Sequence, residues 1–497
     1  MRRVREALGH LRRDAVIYGF GQALGRGVQF LLVPIFTRAL LPEVYGVADL
    51  VLAYSQFVVL VLVFGMDGAL VRFFYQEPDR DARRRMVSTS LAWRIGSGVL
   101  FSLLFVVLSR SMAGSLIGSE VYRKYVTIGA LTLPFSLLVL FSNDVLRVTF
   151  QPWKFIALNT LQAVVTAALS WWLVVPRDIG VAGVLYGKLG GDAVAALAGL
   201  ALIRLNLTPR LSLRALARML AFGWPLVPTA FAYGVISAAD RFFLQRTRSL
   251  EEVGVYAVAV KFFSAAMLGV SAFSLAFFPF AHARAHEPEA PRLYARVLAL
   301  YVSLGSLAAM LVGLFAPEAL AVLVPPGYRE AARPALVLGF AAVAYGAYYV
   351  ACLGVQLALK TPHLIWTALA GAVVAIGANV VATPRYGVMG AAVATLAGNV
   401  ALAVLTYAVS QRVYRLPYRG ARLVALYAVA VILAWLGQTL APEGATGAAI
   451  KLGLGLLFAV LCVAVGIWTE WGSVGSPVGE GGPPGPPASR AMGGPSD

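Results

Sequence analysis

Apolar residues run along this chain in blocks of about twenty, separated by short polar segments, several of them rich in arginine. A helix needs ~20 apolar residues to cross ~30 Å of hydrocarbon. Blocks of that size lie at about 15–36, 45–66, 87–108, 121–142, 155–175, 179–204 and 216–238, and again at about 253–275, 295–315, 335–357, 363–383, 387–409, 421–440 and 446–468. The pattern predicts an all-α integral membrane protein of about fourteen transmembrane helices. No connecting segment exceeds about twenty residues, so neither side of the membrane has room for a soluble catalytic domain.

Composition sharpens this reading. Hydrophobic residues make up 60% of the 497 and charged residues only 13%, whereas a soluble domain carries roughly a quarter charged. The net charge of +18 would suit a nucleic-acid binder. Its basic residues, however, sit in short loops between apolar blocks and not on an aromatic-bearing soluble face, so nucleic acid is not the expected partner. Cys352 and Cys462 fall inside apolar blocks and read as small buried hydrophobes. The arginine-rich residues 1–14 precede a block too long for a signal peptide and interrupted by Arg26, so 15–36 reads as a retained first span. Alternate loops share Lys and Arg unequally, twenty-four against twelve. That bias puts both termini in the cytoplasm.

The chain repeats itself. Glu43-Val44-Tyr45-Gly46 lies 208 positions before Glu251-Glu252-Val253-Gly254, and Gly180-Val181-Ala182-Gly183 lies 207 before Gly387-Val388-Met389-Gly390. Tyr18-Gly19 matches Phe222-Gly223 at an offset of 204. Six spans per copy is an even number, so the copies enter the membrane from the same side, related by a pseudo-two-fold axis along its normal. The expected organisation is a basic N-terminus (1–14), two six-helix lobes (15–204 and 205–409), spans 13 and 14 (410–471) and a disordered Gly/Pro/Ser-rich tail (472–497).

Several segments resemble a known family. Tyr18-Gly19-Phe20-Gly21 through Arg26, the run from Phe30 to Arg38, Leu41-Pro42-Glu43-Val44-Tyr45-Gly46, Asp67-Gly68-Ala69-Leu70-Val71-Arg72-Phe73-Phe74, and Gly387 to Ala394 with Asn399 are similar to the Wzx-type polysaccharide-export flippases. These belong to the multidrug/oligosaccharidyl-lipid/polysaccharide exporter superfamily, and the resemblance covers about residues 10–410. It implies that an undecaprenyl-diphosphate-linked oligosaccharide (an O-antigen, capsule or exopolysaccharide unit) crosses the bacterial cytoplasmic membrane. It also implies a polysaccharide polymerase and its chain-length machinery as partners. Lipid II flippases share the architecture and an early arginine, but the Arg-Asp pair that follows there is missing here.

Charge at mid-bilayer costs at least ~2.5–3.5 kcal/mol, which makes intramembrane charges functional candidates. Arg26, Lys261, Arg94 and Lys188 are the expected cavity cations, suited to a diphosphate. Asp49 and Asp192 are the acids within spans. Lys188 and Asp192 are also spaced as an i,i+4 ion pair, and Arg94 can snorkel to the interface. Asp67 with Arg72, Asp144 with Arg147, and Asp240 with Arg241 fall at span ends as gate pairs or anchors. Trp224-Pro225-Leu226-Val227-Pro228 should bend the seventh span, with Pro225 and Pro228 as a hinge.

Other motifs fail. Gly19, Gly21 and Gly25 have the wrong spacing for a dinucleotide loop. His282 and His286 are four apart with no third ligand in view, so neither metal nor cofactor is expected. A drug or organic-cation antiporter needs intramembrane carboxylates, which are outnumbered here. A glycan polymerase or ligase needs a large outer loop with an acid/base pair. The expected activity is therefore lipid-linked oligosaccharide transport by alternating access, in a bundle large enough to act as a monomer among membrane lipids.

Overall fold

A computed structural model describes residues 27–465, except 29, 285, 286, 359, 361 and 443. No strand occurs among them, and twelve helices are long and apolar enough to cross a membrane. The chain runs through α1 (Val33–Ala39), α2 (Pro42–Leu62), α3 (Met66–Gln76), α4 (Arg80–Val107), α5 (Arg123–Val148), α6 (Pro152–Val174) and α7 (Val181–Ile203). It continues with α8 (Leu213–Gly223), α9 (Val227–Thr247), α10 (Leu250–Ala283), α11 (Ala290–Leu314), α12 (Ala316–Leu323) and α13 (Ala332–Leu357). The last three are α14 (His363–Val413), α15 (Gly420–Leu440) and α16 (Ala445–Ala464). Most of the predicted first span lies outside the described residues; α1 is its described end.

In the first lobe α4 packs on α5, α5 on α7, and α7 along α6. In the second, α13 is enclosed by α10, α11 and α14, while α15 and α16 pack against α11 outside the repeat. Helix α14 is 51 residues long but is two spans folded back at Gly387 (φ 55°, ψ −130°). Its two arms correspond to α6 and α7, which meet at Gly180 (φ 63°, ψ −135°). The internal repeat is thus visible in the backbone: two glycines 207 residues apart adopt the same turn, in a region that other residues rarely enter.

The two turns differ in surroundings. A Cβ on Gly180 meets nothing within 4 Å, whereas one on Gly387 would overlap the Glu252 carboxylate. Glu252 accepts from the Val388 N–H at 3.1 Å and pairs with Arg248 at 3.1 Å. Gly180→Ala should therefore cost only the backbone strain, about 1–3 kcal/mol, and Gly387→Ala visibly more. Thermal unfolding of the two variants in detergent measures the difference.

Candidate functional site

The two lobes meet where α2 and α10 cross near their first turns. A methyl on Gly46 would overlap the Leu250 carbonyl, and one on Gly254 would overlap the Pro42 carbonyl. Pro42 and Leu250, like Gly46 and Gly254, are repeat-equivalent. Each lobe thus presents the same two positions to the other across the pseudo-two-fold axis. Only glycine permits backbones this close.

One helical turn deeper, the seam turns polar. Arg241 Nε donates to Asp49 Oδ2 at 2.6 Å, joining α9 to α2 across the lobes. Arg241 Nη1 donates to the Ser237 carbonyl at 2.9 Å and lies 3.3 Å from Asp240 Oδ1. Tyr256 donates to Asp240 Oδ2, and so does Thr395, at 3.1 Å. All three charges are buried, at 9% exposure for Asp49, 2% for Asp240 and 7% for Arg241. Asp240 and Arg241 lie about 9–10 Å before the end of α9 at 1.5 Å per residue. Half-buried Lys261 has Asp49 and Arg241 as its charged neighbours. The adjacent Phe262 meets Phe30 edge-on at 5.6 Å, closing the bundle at that flank. Arg26 lies outside the described residues.

Two of the expected cavity cations are neutralised inside the first lobe. Arg94 is fully enclosed rather than snorkelling, and its Nη2 donates to Asp144 Oδ2 at 2.9 Å. Arg147 binds the other oxygen of Asp144, so one carboxylate serves two arginines. Lys188 pairs with Asp192, which also accepts from Ser136 and from Gln162 at 2.7 Å. The two clusters respond differently to truncation. Asp144→Ala strands Arg94 in the core and should cost about 3–5 kcal/mol. Lys188→Ala leaves Asp192 with two donors and should cost clearly less; denaturant unfolding of both variants checks the ranking.

The lobes also touch at the opposite end. Phe64 (φ 55°) and Gly65 (φ 66°) break the path from α2 into α3, and Gly65 lies against Gly223 at the break between α8 and α9. Pro225 sits in the 3₁₀ turn Trp224–Leu226 and Pro228 in the first turn of α9, so the seventh span is interrupted where the prolines fall. Arg72 does not lie with Asp67 as a pair but over the Phe222 ring at 5.0 Å, while Asp67 is an electrostatic neighbour of Asp144. The segment before α8 is fastened to α4: Thr208 N–H donates to Ser88 Oγ at 2.8 Å, Ser212 N–H to Thr89 Oγ1 at 3.0 Å, and Arg84 to the Leu207 carbonyl at 2.6 Å. The chain is therefore tied to the first lobe as far as α8. His286 lies outside the described residues and the side chain of His282 is not described.

Comparison with known proteins decides the family. The model of the polysaccharide biosynthesis protein family matches residues 11–282, more than half of the chain. The chain belongs to the polysaccharide biosynthesis protein family. No curated protein matches the sequence. Among solved structures, this family member is similar to the lipid II flippase MurJ in an inward closed conformation (TM-score 0.70, 14% identity, 91% of this chain and 99% of that one). It is also similar to an outward-facing multidrug resistance MATE transporter of the MOP superfamily (TM-score 0.63, 15% identity, 84% and 96%). A third similar fold is a MOP superfamily transporter from Pyrococcus furiosus (TM-score 0.59, 16% identity, 84% and 96%). The protein is thus a multi-pass membrane protein with a two-lobe flippase and transporter fold, and these solved relatives are carriers rather than catalysts.

Sequence reasoning missed Asp49 as the partner of Arg241 and Asp144 as the partner of Arg94. For Asp49 a signal existed: it sits inside an apolar block, where a lone charge demands a counter-charge.

Proposed function

We propose that this protein flips an undecaprenyl-diphosphate-linked oligosaccharide from the cytoplasmic to the outer leaflet by alternating access. The observation that carries this reading is membership of the polysaccharide biosynthesis family on a two-lobe carrier fold. With both termini cytoplasmic, the Gly46–Gly254 and Asp49–Arg241 seam is the outer gate, and it is shut. Opening it separates the lobes, pivoting at Gly223 to Pro228, where the seventh span is interrupted. The diphosphate is held by Lys261 and Arg26 rather than by four cations, since Arg94 and Lys188 are already paired. The reading places the protein in the bacterial inner membrane as a monomer that delivers to a polysaccharide polymerase and its chain-length partners.

Flipping of a labelled undecaprenyl-diphosphate oligosaccharide in proteoliposomes tests it. Wild type should transport, and Lys261→Ala should lower the rate about tenfold, the worth of one charge-assisted hydrogen bond. Movement of lipid II alone would reassign the substrate. Export of ethidium-like cations with no glycan movement would replace the proposal with a drug antiporter.

A further inference from the structure

A half-open groove of about 590 Å³ lies on the flank of the bundle between α2, α4, α8 and α9. Its walls include Phe57, Trp93, Leu100, Phe101, Leu216 and Phe231, and no charged side chain lines it. A volume of this order suits one small ligand or a single hydrocarbon chain.

The groove is graded along α4. At its polar mouth Arg84 reaches the Leu207 carbonyl, with its own Nε buried and without a partner. Arg210 and Arg214 flank Leu211 and Leu213, which are 58% and 81% exposed. Arginines beside exposed leucines form the pattern of a membrane–water interface. From Arg204 to Ala239 the chain carries four arginines and no acid. Trp93 lies about 6 Å deeper than Thr89 at 1.5 Å per residue, and its indole Nε1 is buried with no acceptor. Deeper still, from Gly96 to Phe105, the lining is almost wholly apolar.

This order of cation, then hydrogen-bond donor, then hydrocarbon is the order of groups in an acidic glycerophospholipid. We propose that the groove binds one such lipid. Its phosphate lies among Arg84, Arg210 and Arg214, an ester carbonyl accepts from Trp93, and one acyl chain fills the groove. A polyprenyl phosphate has no ester carbonyl for the indole, so the lipid is a membrane component distinct from any transported substrate. Because Phe231 of the second lobe and Phe57 of the first both line the groove, with rings 5.5 Å apart, the bound chain touches both lobes.

Photolabelling in nanodiscs with a phosphatidylglycerol carrying a diazirine in one acyl chain tests the site, with adducts mapped by mass spectrometry. Labels should fall on the Gly96–Phe105 stretch. They should be lost in Gly96→Leu, where an added Cβ meets nothing within 4 Å, so that the fold stands while the groove fills; an unchanged melting temperature checks this. Arg210→Gln and Arg214→Gln should each weaken labelling about fivefold, as for a basic residue at an anionic surface. Equal labelling by the matching phosphatidylcholine probe would show ordinary annular lipid and overturn the proposal. So would labelling that survives Gly96→Leu. Displacement by undecaprenyl phosphate as effective as by phosphatidylglycerol would also overturn it. None of these outcomes depends on which headgroup the protein flips.

Discussion

Gly254→Val is expected to abolish transport by holding the lobes apart at the Pro42 end. The added side chain would occupy the position of the Pro42 carbonyl, and a backbone oxygen inside a helix cannot rotate away. Overpacking of this kind costs about 1–3 kcal/mol or more, enough to depopulate the closed seam roughly five- to a hundredfold. Gly46→Val should act alike, because its Cβ meets the repeat-equivalent Leu250 carbonyl. Two measurements read the effect: flipping in proteoliposomes, and thiol labelling at a Val44→Cys reporter with Cys352 and Cys462 replaced by serine. Labelling should rise as transport falls. A valine variant that stays protected and transports normally would remove the seam from the mechanism.

The second large effect concerns Arg241. This single guanidinium serves Asp49 in one lobe and Asp240 in the other. Arg241→Ala leaves two buried carboxylates facing each other and should cost about 3–5 kcal/mol. Asp49→Asn removes only the cross-lobe charge, since Arg241 keeps Asp240, and should cost less. Combining Asp49→Asn with Arg241→Ala should recover part of the loss, because one stranded carboxylate has gone. Denaturant unfolding in detergent gives the coupling energy. Strict additivity of the two substitutions would mean that the pair carries no interaction between the lobes.

These expectations draw on features of unequal visibility in the chain. The spans were legible because an apolar block of helical length has few alternatives to lipid. The break in the seventh span was legible because Pro225 and Pro228 remove backbone donors wherever they fall. The repeat was legible from Gly46 with Gly254 and from Gly180 with Gly387, positions where backbone geometry dictates the residue. Ion pairing was another matter. Lys188 with Asp192 lies on one helix face and could be read from spacing, as could Arg147 with Asp144. Arg94 with Asp144 spans 50 positions and Asp49 with Arg241 spans 192; no local periodicity connects such residues. A surplus of cavity cations was inferred from composition, and it shrank once the long-range acids took their partners. Helix α9 extends past its apolar block, and the burial of Asp240 and Arg241 within it comes from packing against the other lobe, which the block's bounds do not reveal.

The contact between Gly46 and Gly254 has a bearing on descent. An isologous interface is one in which a surface meets its own copy, as in a two-fold dimer. Here Pro42 and Gly46 of one half touch Gly254 and Leu250 of the other, the counterparts of Gly46 and Pro42. The seam thus retains the form of a homodimer contact inside a single polypeptide, as expected if a six-helix ancestor once paired with itself before the two genes fused. In such an ancestor one substitution altered both sides of the joint at once. The ion pair one turn deeper has no such mirror image: at the same offset the counterpart of Asp49 is Ala257, so the charge that joins the lobes is carried on one side of the axis alone.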